Sequence, residues 1–493
     1  MKKIYESTRN RNQKADATKA ILQGLSDDGG LFVVRDIEQC SYDITELKDK
    51  DYSTIAEEIL SLFFDDFSKE EIKDCVQQAY LGKFENDEIT PVIPLHDAYV
   101  LELFRGPTSA FKDVGLQMLS QLTSSALYKT KADYDVLILT ATSGDTGKAA
   151  LEGFKDVEHT KIIVFYPNDG VSKVQETQMK TQTGKNLKVC AINGNFDDAQ
   201  TAIKQLFVDQ EFKATLAKQN IKLSSANSIN IGRLVPQIVY YVYAYACLLK
   251  QGAIEVGEEV NFIVPTGNFG DILAGYFAKQ IGLPIHKLVC ASNDNHVLYD
   301  FIQTGIYDRR RDFLKTISPS MDILISSNLE RLLYYASGCD NAYVKQLMDD
   351  LSNKGYYQVT DDVLKTIQKD FACGYATNTE TENTIKAVYE LDHYVLDPHT
   401  AVAYKVLLDD KDQEHKNIVL STASPYKFTD SVYSALYGKV EDDEFRLMKK
   451  LHQKTNVTIP KNLENIDRLE IVHEDTIEKE DMKKYVLDKV KEI

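Results

Sequence analysis

A chain of 493 residues, 43% of them hydrophobic, is too long for one core of ordinary size and apolar enough to build two or three. Its 57 Lys and Arg against 75 Asp and Glu give a formal charge of -18, which argues against non-specific binding to nucleic acid or to an anionic membrane surface. An anionic substrate would need a local basic pocket.

The first residues, "MKKIYESTRNRNQK", lack the apolar stretch of a signal peptide. Cys40, Cys75, Cys190, Cys247, Cys290, Cys339 and Cys373 are scattered with no CxxC spacing, so neither a disulfide framework nor a zinc site is expected, and a reducing cytoplasm fits best. In "ILQGLSDDGGLFVV" the residues Asp28, Gly29 and Gly30 read as a turn between a helix and a short strand. In "GPTSAFKDVGLQM" (Gly106–Met118) a lysine follows Phe111 among small and apolar residues. Burying an ammonium there is costly unless a partner neutralises it. A snorkelling lysine on an amphipathic helix and a nucleophile both remain open on the local sequence.

From Asp135 onward a different rhythm begins. Short β-branched runs, "VLILT", "KIIVFYP", "LKVCAING", "NFIVPTG", "HKLVCASN" and "NIVLSTA", alternate with helical or loop stretches, the pattern of a parallel sheet with crossover helices and hence of an α/β core. The longest apolar run, Val239–Leu249, is too short to span a bilayer. After about Gly438 the chain becomes charged and weakly helical, which reads as an appended lobe or an oligomer contact.

Two strand ends run into glycine-bearing loops that open helices: "ATSGDTGKAALEGF" and "TGNFGDILAGYFAKQIG". A helix N-terminus offers unpaired N–H groups and a positive dipole end, so either loop can hold a phosphate without a basic side chain; an ordinary βα turn uses the same residue types. Neither loop is GxGxxG or GxxxxGK[ST], so a dinucleotide or ATP site is disfavoured. A third strand end, "NIVLSTASPYKFTDSV", delivers the hydroxyls of Ser421 and Thr422. A lysine nucleophile, a phosphate cradle without a Walker lysine and hydroxyls opposite suggest pyridoxal 5'-phosphate held as a Schiff base.

The stretches "STR", "LSDDGGLFV", "LFRGPTSAFKDVG", "ATSGDTGKAA", "NSIN", "VPTGNFGDILAG", "LDPHTAVA" and "STASPYKF", spanning residues 7 to 428, resemble the threonine synthases of the longer, fungal and enterobacterial-like type. The resemblance implies an α/β, fold-type II pyridoxal-phosphate enzyme, similar to the tryptophan synthase β subunit, with open, mostly parallel sheets and crossover helices. It implies an N-terminal domain over 1–80, a catalytic core over 81–437 with a smaller subdomain within about 110–200, and a C-terminal extension over 438–493.

It also implies that Lys112 carries the cofactor, that Gly267, Asn268, Phe269, Gly270 and Asp271 hold its phosphate, and that Thr422 faces the pyridine nitrogen. Ser143, Asp145 and Thr146 of the "SGDTG" loop would lie beside ring and substrate. Asn230 and Arg233, at helical spacing, together with Lys148 and Lys173, are candidates for the substrate phosphate; a capped helix with a solvated arginine is the alternative for the pair. His399 in "LDPHT" is tempting as a second acid or base, but a histidine beside Pro398 is more often structural. No metal is expected.

The implied reaction converts O-phospho-L-homoserine and water to L-threonine and phosphate, by γ-elimination and β-addition of water. The implied partner is that small molecule, not nucleic acid or membrane, for a cytoplasmic monomer or homodimer. A phospholyase that releases 2-oxobutyrate from the same substrate, and a non-catalytic metabolite-binding relative, are the rivals. Two departures from the family pattern bear on pocket shape: Ser424 stands where histidine is common, and Ile231 where tryptophan is usual.

Overall fold

The computed structural model describes residues 3–168, 170–194 and 196–493. Its N-terminal part pairs Tyr5–Ser7 antiparallel with both Asn10–Ala15 and Phe32–Val34. The turn at Asp28–Gly30 falls between the helix Ala17–Gln23 and the strand Phe32–Val34, as the sequence suggests; the Ser7 hydroxyl donates to the Asp28 carboxylate and Gly29 takes φ 78. Two amphipathic helices follow, Tyr52–Phe63 and Lys69–Tyr80, the second opened by a reciprocal Ser68–Glu71 capping box.

The six β-branched runs all form strands in parallel pairings, but they divide between two sheets. The larger has six strands in the order Phe371–Tyr375, Ile285–Ser292, Val260–Pro265, Lys416–Ser421, Tyr99–Glu102 and Val92–Pro94, parallel except for the last pair. The smaller has five parallel strands in the order Thr476–Glu478, Leu187–Asn193, Thr160–Pro167, Asp135–Ala141 and Ile221–Ser224. Periodicity reports whether a strand is buried on both faces and carries no information on which sheet it joins. In open α/β sheets ligands bind beyond the carboxyl ends of the strands, and each sheet sends its glycine loop out from that end.

The apolar run Val239–Leu249 lies in the helix Pro236–Gln251, buried on nearly every face. It packs against Tyr52–Phe63, with the Tyr52 and Tyr243 rings 5.2 Å apart, and against the helix Gly270–Gln280. No helix among the described residues is long and apolar enough to cross a membrane.

The C-terminal segment docks on its own chain. Glu444, which opens the helix Glu444–Thr455, accepts from the N–H groups of Lys173 and Val174. Asn462 accepts from the Ser109 hydroxyl at 2.9 Å. The strand Thr476–Glu478 extends the small sheet, and Met482, Tyr485 and Val486 of the last helix join that sheet's core. One segment therefore ties the lysine loop to the small sheet.

Candidate active site

The loop before Lys112 is zipped to the loop after the strand Lys416–Ser421. Ala110 and Ala423 form an antiparallel bridge, the Phe111 N–H donates to the Thr422 carbonyl at 2.8 Å, and the Ser424 N–H donates to the Ser109 carbonyl at 3.1 Å. Lys112 begins the helix Lys112–Lys129 and is buried rather than snorkelling. Its Nζ lies 3.6 Å from Asp145 Oδ2, 3.4 Å from Ser320 Oγ and 4.5 Å from the centre of the Phe111 ring. Burial pushes the Lys112 amine below its ordinary pKa; Asp145 pulls it up, while Arg233 and Lys427 push it further down.

Asp145 starts the helix Asp145–Phe154 behind Gly144, whose φ of 131 excludes other residues. Its Oδ1 takes the Lys427 ammonium at 2.6 Å and the Gln175 amide at 2.8 Å, and its Oδ2 has no hydrogen-bond partner among the described residues. Burial alone would raise the Asp145 carboxyl. The charges of Lys427 and Lys112, with hydrogen bonds from Lys427 and Gln175, hold it well below the usual carboxylate range. Lys427 is completely buried on the turn Pro425–Phe428 and also donates to the Thr108 carbonyl at 3.1 Å. Ser424, the departure from the family pattern, caps that turn through its hydroxyl. Neither Lys427 nor Ser320 stands out in the sequence, where the local signal is a lysine two residues after a Pro at a strand end.

The loop between Val260–Pro265 and Gly270–Gln280 is held from outside. The Ser326 hydroxyl donates to the Gly267 carbonyl at 2.8 Å and the Asn328 N–H to the Asn268 carbonyl at 3.0 Å. The N–H groups of Gly267, Asn268 and Phe269 donate to no acceptor among the described residues. Phe269, not a glycine, takes the left-handed conformation at φ 64 as the cap of the helix, a strained choice that its complete burial enforces. Gly267 is needed for close packing of the protein itself: a Cβ there would sit 2.5 Å from the Ser320 carbonyl oxygen. A Cβ on Gly270 would meet Ser228 at 3.0 Å. Burial pushes the Asp271 carboxyl up to about 6 against the Ile272 N–H and the Lys112 charge.

Arg233 is buried, not solvated; Nη1 donates to the Ala226 carbonyl at 2.8 Å, and burial lowers the guanidinium to about 10, with Asp271 opposing. Asn230 spends its side chain on structure, capping the Gly232 N–H and donating to the Ile21 and Ser225 carbonyls. Ile231 is buried behind it. Ser143 and Thr146 sit half-buried on the Asp145 loop. Lys148 pairs with Glu152 and Gln182, and Lys173 pairs with Glu176 at the surface, so neither cation is brought to Lys112.

His399 is buried between Asp397, 2.9 Å from Nδ1, and the Ser320 N–H, which donates to Nε2 at 3.1 Å. It positions Ser320, consistent with a structural role. The Ser421 hydroxyl is engaged by Thr400, whereas Thr422 offers a hydroxyl with no partner among the described residues.

Unpaired loop N–H groups at a helix start, a crowded glycine, a free hydroxyl and a buried amine fit a phosphorylated pyridine aldehyde. The family described as "Pyridoxal-phosphate dependent enzyme" matches residues 87–423, which hold these groups apart from Lys427, so the protein is of the pyridoxal-phosphate-dependent, fold-type II class. "Threonine synthase N terminus" matches residues 4–80 and "Threonine synthase, C-terminal" residues 400–473. Threonine synthase of Schizosaccharomyces pombe is 40% identical over 466 residues, covering 88% of this chain and 89% of that protein. Human threonine synthase-like 1 is 38% identical over 85% of this chain and 58% of its own length. The crystal structure of pyridoxal-phosphate-bound threonine synthase from Brucella melitensis superposes with a TM-score of 0.87 at 36% identity, covering 99% of this chain and 98% of that one. The chain belongs to the threonine synthase family.

The crowding at Gly267 sets an expected result. Gly267→Ala should displace the Ser320 backbone and lower pyridoxal-phosphate affinity by roughly tenfold or more, about 1.4 kcal/mol, measured by absorbance titration of the cofactor-depleted protein. Unaltered affinity would remove the loop from the cofactor site.

Proposed function

We propose that the protein is a threonine synthase that converts O-phospho-L-homoserine and water to L-threonine and phosphate. The observation that carries this reading is the buried amine of Lys112, which feels two further buried cations, Arg233 and Lys427, and the carboxylates Asp145 and Asp271, a concentration of buried charge in a strongly acidic chain. Bound pyridoxal phosphate supplies the electron sink for charge left when protons leave Cα and Cβ of the substrate.

In this reading Gly267, Asn268, Phe269, Gly270 and Asp271 hold the cofactor phosphate through their backbone, and Thr422 donates to the ring nitrogen. Lys112 Nζ, with its affinity for protons reduced by burial, takes the proton from Cα, would return it to the conjugated cofactor, and, neutral again, takes the proton from Cβ. Asp145 Oδ2 keeps Nζ in place while Ser143 and Thr146 flank the substrate. Arg233 holds the substrate phosphate, whose departure from Cγ needs cations in a water-poor site. Asn230 supports Arg233 from the cap of its helix and does not touch the substrate.

The same reading assigns residues 1–80 to an N-terminal domain, 81–437 to the catalytic core and 438–493 to the extension. It describes a cytoplasmic protein, monomer or homodimer, whose partner is a small molecule and not nucleic acid. Incubation with O-phospho-L-homoserine should release threonine and phosphate in equal amounts. Phosphate with 2-oxobutyrate as the main carbon product would identify the phospholyase instead, and no turnover by cofactor-loaded protein would defeat both.

A further inference from the structure

The edge of the large sheet opposite the Lys112 site carries a cluster that the reaction does not use. Ile285–Ser292, Val260–Pro265 and Lys416–Ser421 are neighbouring parallel strands, with Val260 paired to Ile285 on one side and to Lys416 on the other. Parallel strands share their starting edge, and Glu259, His286 and His415 meet there. One ligand atom from each lies within 4.8 Å of the others. His286 Nδ1 is 3.4 Å and His415 Nε2 is 4.0 Å from Glu259 Oε2.

The second observation is the support beneath His415. Its Nδ1 lies 2.7 Å from Asp412 Oδ2. Asp412 is fixed in turn by the Asn261 amide at 3.0 Å and the Glu414 N–H at 2.8 Å, and buried Asn261 is braced by Asn417 at 3.1 Å. An Nδ1–H donated to a carboxylate leaves the lone pair on Nε2 facing Glu259, the arrangement that accompanies metal-ligating histidines. Exposed Glu–His pairs by themselves contribute little and do not call for a rigid carboxylate behind one ring.

We propose that Glu259, His286 and His415 bind one divalent transition-metal ion, with Asp412 orienting His415. Two imidazole nitrogens and one carboxylate oxygen suit Zn2+ or Co2+ and not Mg2+ or Ca2+. Bonds of about 2.1 Å in a tetrahedral site separate ligand atoms by about 3.4 Å, so His286 and Glu259 are already at that spacing, His415 must close on Glu259 by about half an ångström, and the two imidazole nitrogens, within 4.8 Å of each other, must reach the same spacing. The two rings are stacked, 4.1 Å between centres and 6° between planes. Ligation requires them to splay so that both lone pairs reach one point; His286, with no carboxylate behind it among the described residues, is the ring that turns. The ion would clip three strands together at the far end from Gly267 and Thr422, about 20 Å away along a six-residue strand. It therefore stabilises the sheet and leaves the reaction alone.

The test uses the holoenzyme, treated with chelator and titrated with Co2+ by visible absorbance and with Zn2+ by calorimetry. Wild type should bind one equivalent with a ligand-field spectrum and gain thermal stability. His286→Gln with His415→Gln should weaken binding at least 100-fold, and Asp412→Asn by roughly 10- to 100-fold, all with unchanged turnover. Absence of stoichiometric binding to wild type, or equal binding by the double variant, overturns the site. Equal affinity in Asp412→Asn overturns the orienting role of that carboxylate.

Discussion

Lys112→Ala is expected to abolish both turnover and covalent retention of the cofactor while leaving the fold intact. Loss of a positioned acid–base group alone lowers rates by roughly 10²- to 10⁴-fold, and loss of the attachment point adds to that. The fold should survive because Asp145 keeps Lys427 at 2.6 Å as its counter-ion, so that removing Lys112, 3.6 Å from Asp145, leaves the carboxylate still paired through its other oxygen. Borohydride reduction and peptide mapping of wild type should place the pyridoxyl group on Lys112, and finding it on another lysine would refute the assignment. Circular dichroism and a thermal midpoint close to wild type separate lost chemistry from lost structure.

Asp145→Ala should have the largest effect on stability. Lys427 is completely buried and Asp145 is its only ion-pair partner among the described residues, so the substitution leaves an uncompensated ammonium in the interior, at a cost of about 3–5 kcal/mol. Adding Lys427→Met should restore much of the loss, because an apolar side chain of similar length needs no partner. Urea midpoints of the four proteins in the cycle give the coupling. A loss below about 1 kcal/mol for Asp145→Ala would mean the pair is solvated. The double variant should fold yet turn over slowly, since Lys112 then lacks the carboxylate that steers its amine.

The two substitutions act on the same few ångströms from different sides. Asp145 accepts from Lys427 through one oxygen and faces Lys112 with the other. Burial lowers the proton affinity of Lys112, as a base working near neutral pH requires, and the carboxylate limits how far. In the proposed mechanism a single acidic residue serves stability and proton transfer at once.

Much of this was legible along the chain. The strands at 135–141, 160–167, 187–193, 260–265, 285–292 and 416–421 announce themselves by runs of β-branched residues, because a strand buried on both faces has no polar alternation to disguise it. Lys112 stood out because an ammonium among apolar neighbours is costly, and the glycine loops because helix starts after strands are where anions bind. Those are local properties, set by side-chain volume, charge and backbone freedom within a few residues.

Position relative to the rest of the chain is not local. The division of six similar strands into two sheets, the addition of Thr476–Glu478 to the smaller one and the docking of the charged tail depend on which surfaces meet. A three-residue edge strand, partly exposed, carries no hydrophobic signature. Lys427 and Ser320 approach Lys112 only because a bridge between Ala110 and Ala423 and the pairing of Ser320 with His399 bring distant segments together. Lys148 and Lys173 look equivalent to Arg233 in sequence, yet packing gives the two lysines carboxylate partners of their own and leaves Arg233 buried, with its charge felt by the amine. Residue types at the strand ends set the chemistry this protein can carry; the packing of distant segments sets which of its charges are desolvated and face one another, because burial and Coulomb energy depend on distance in space.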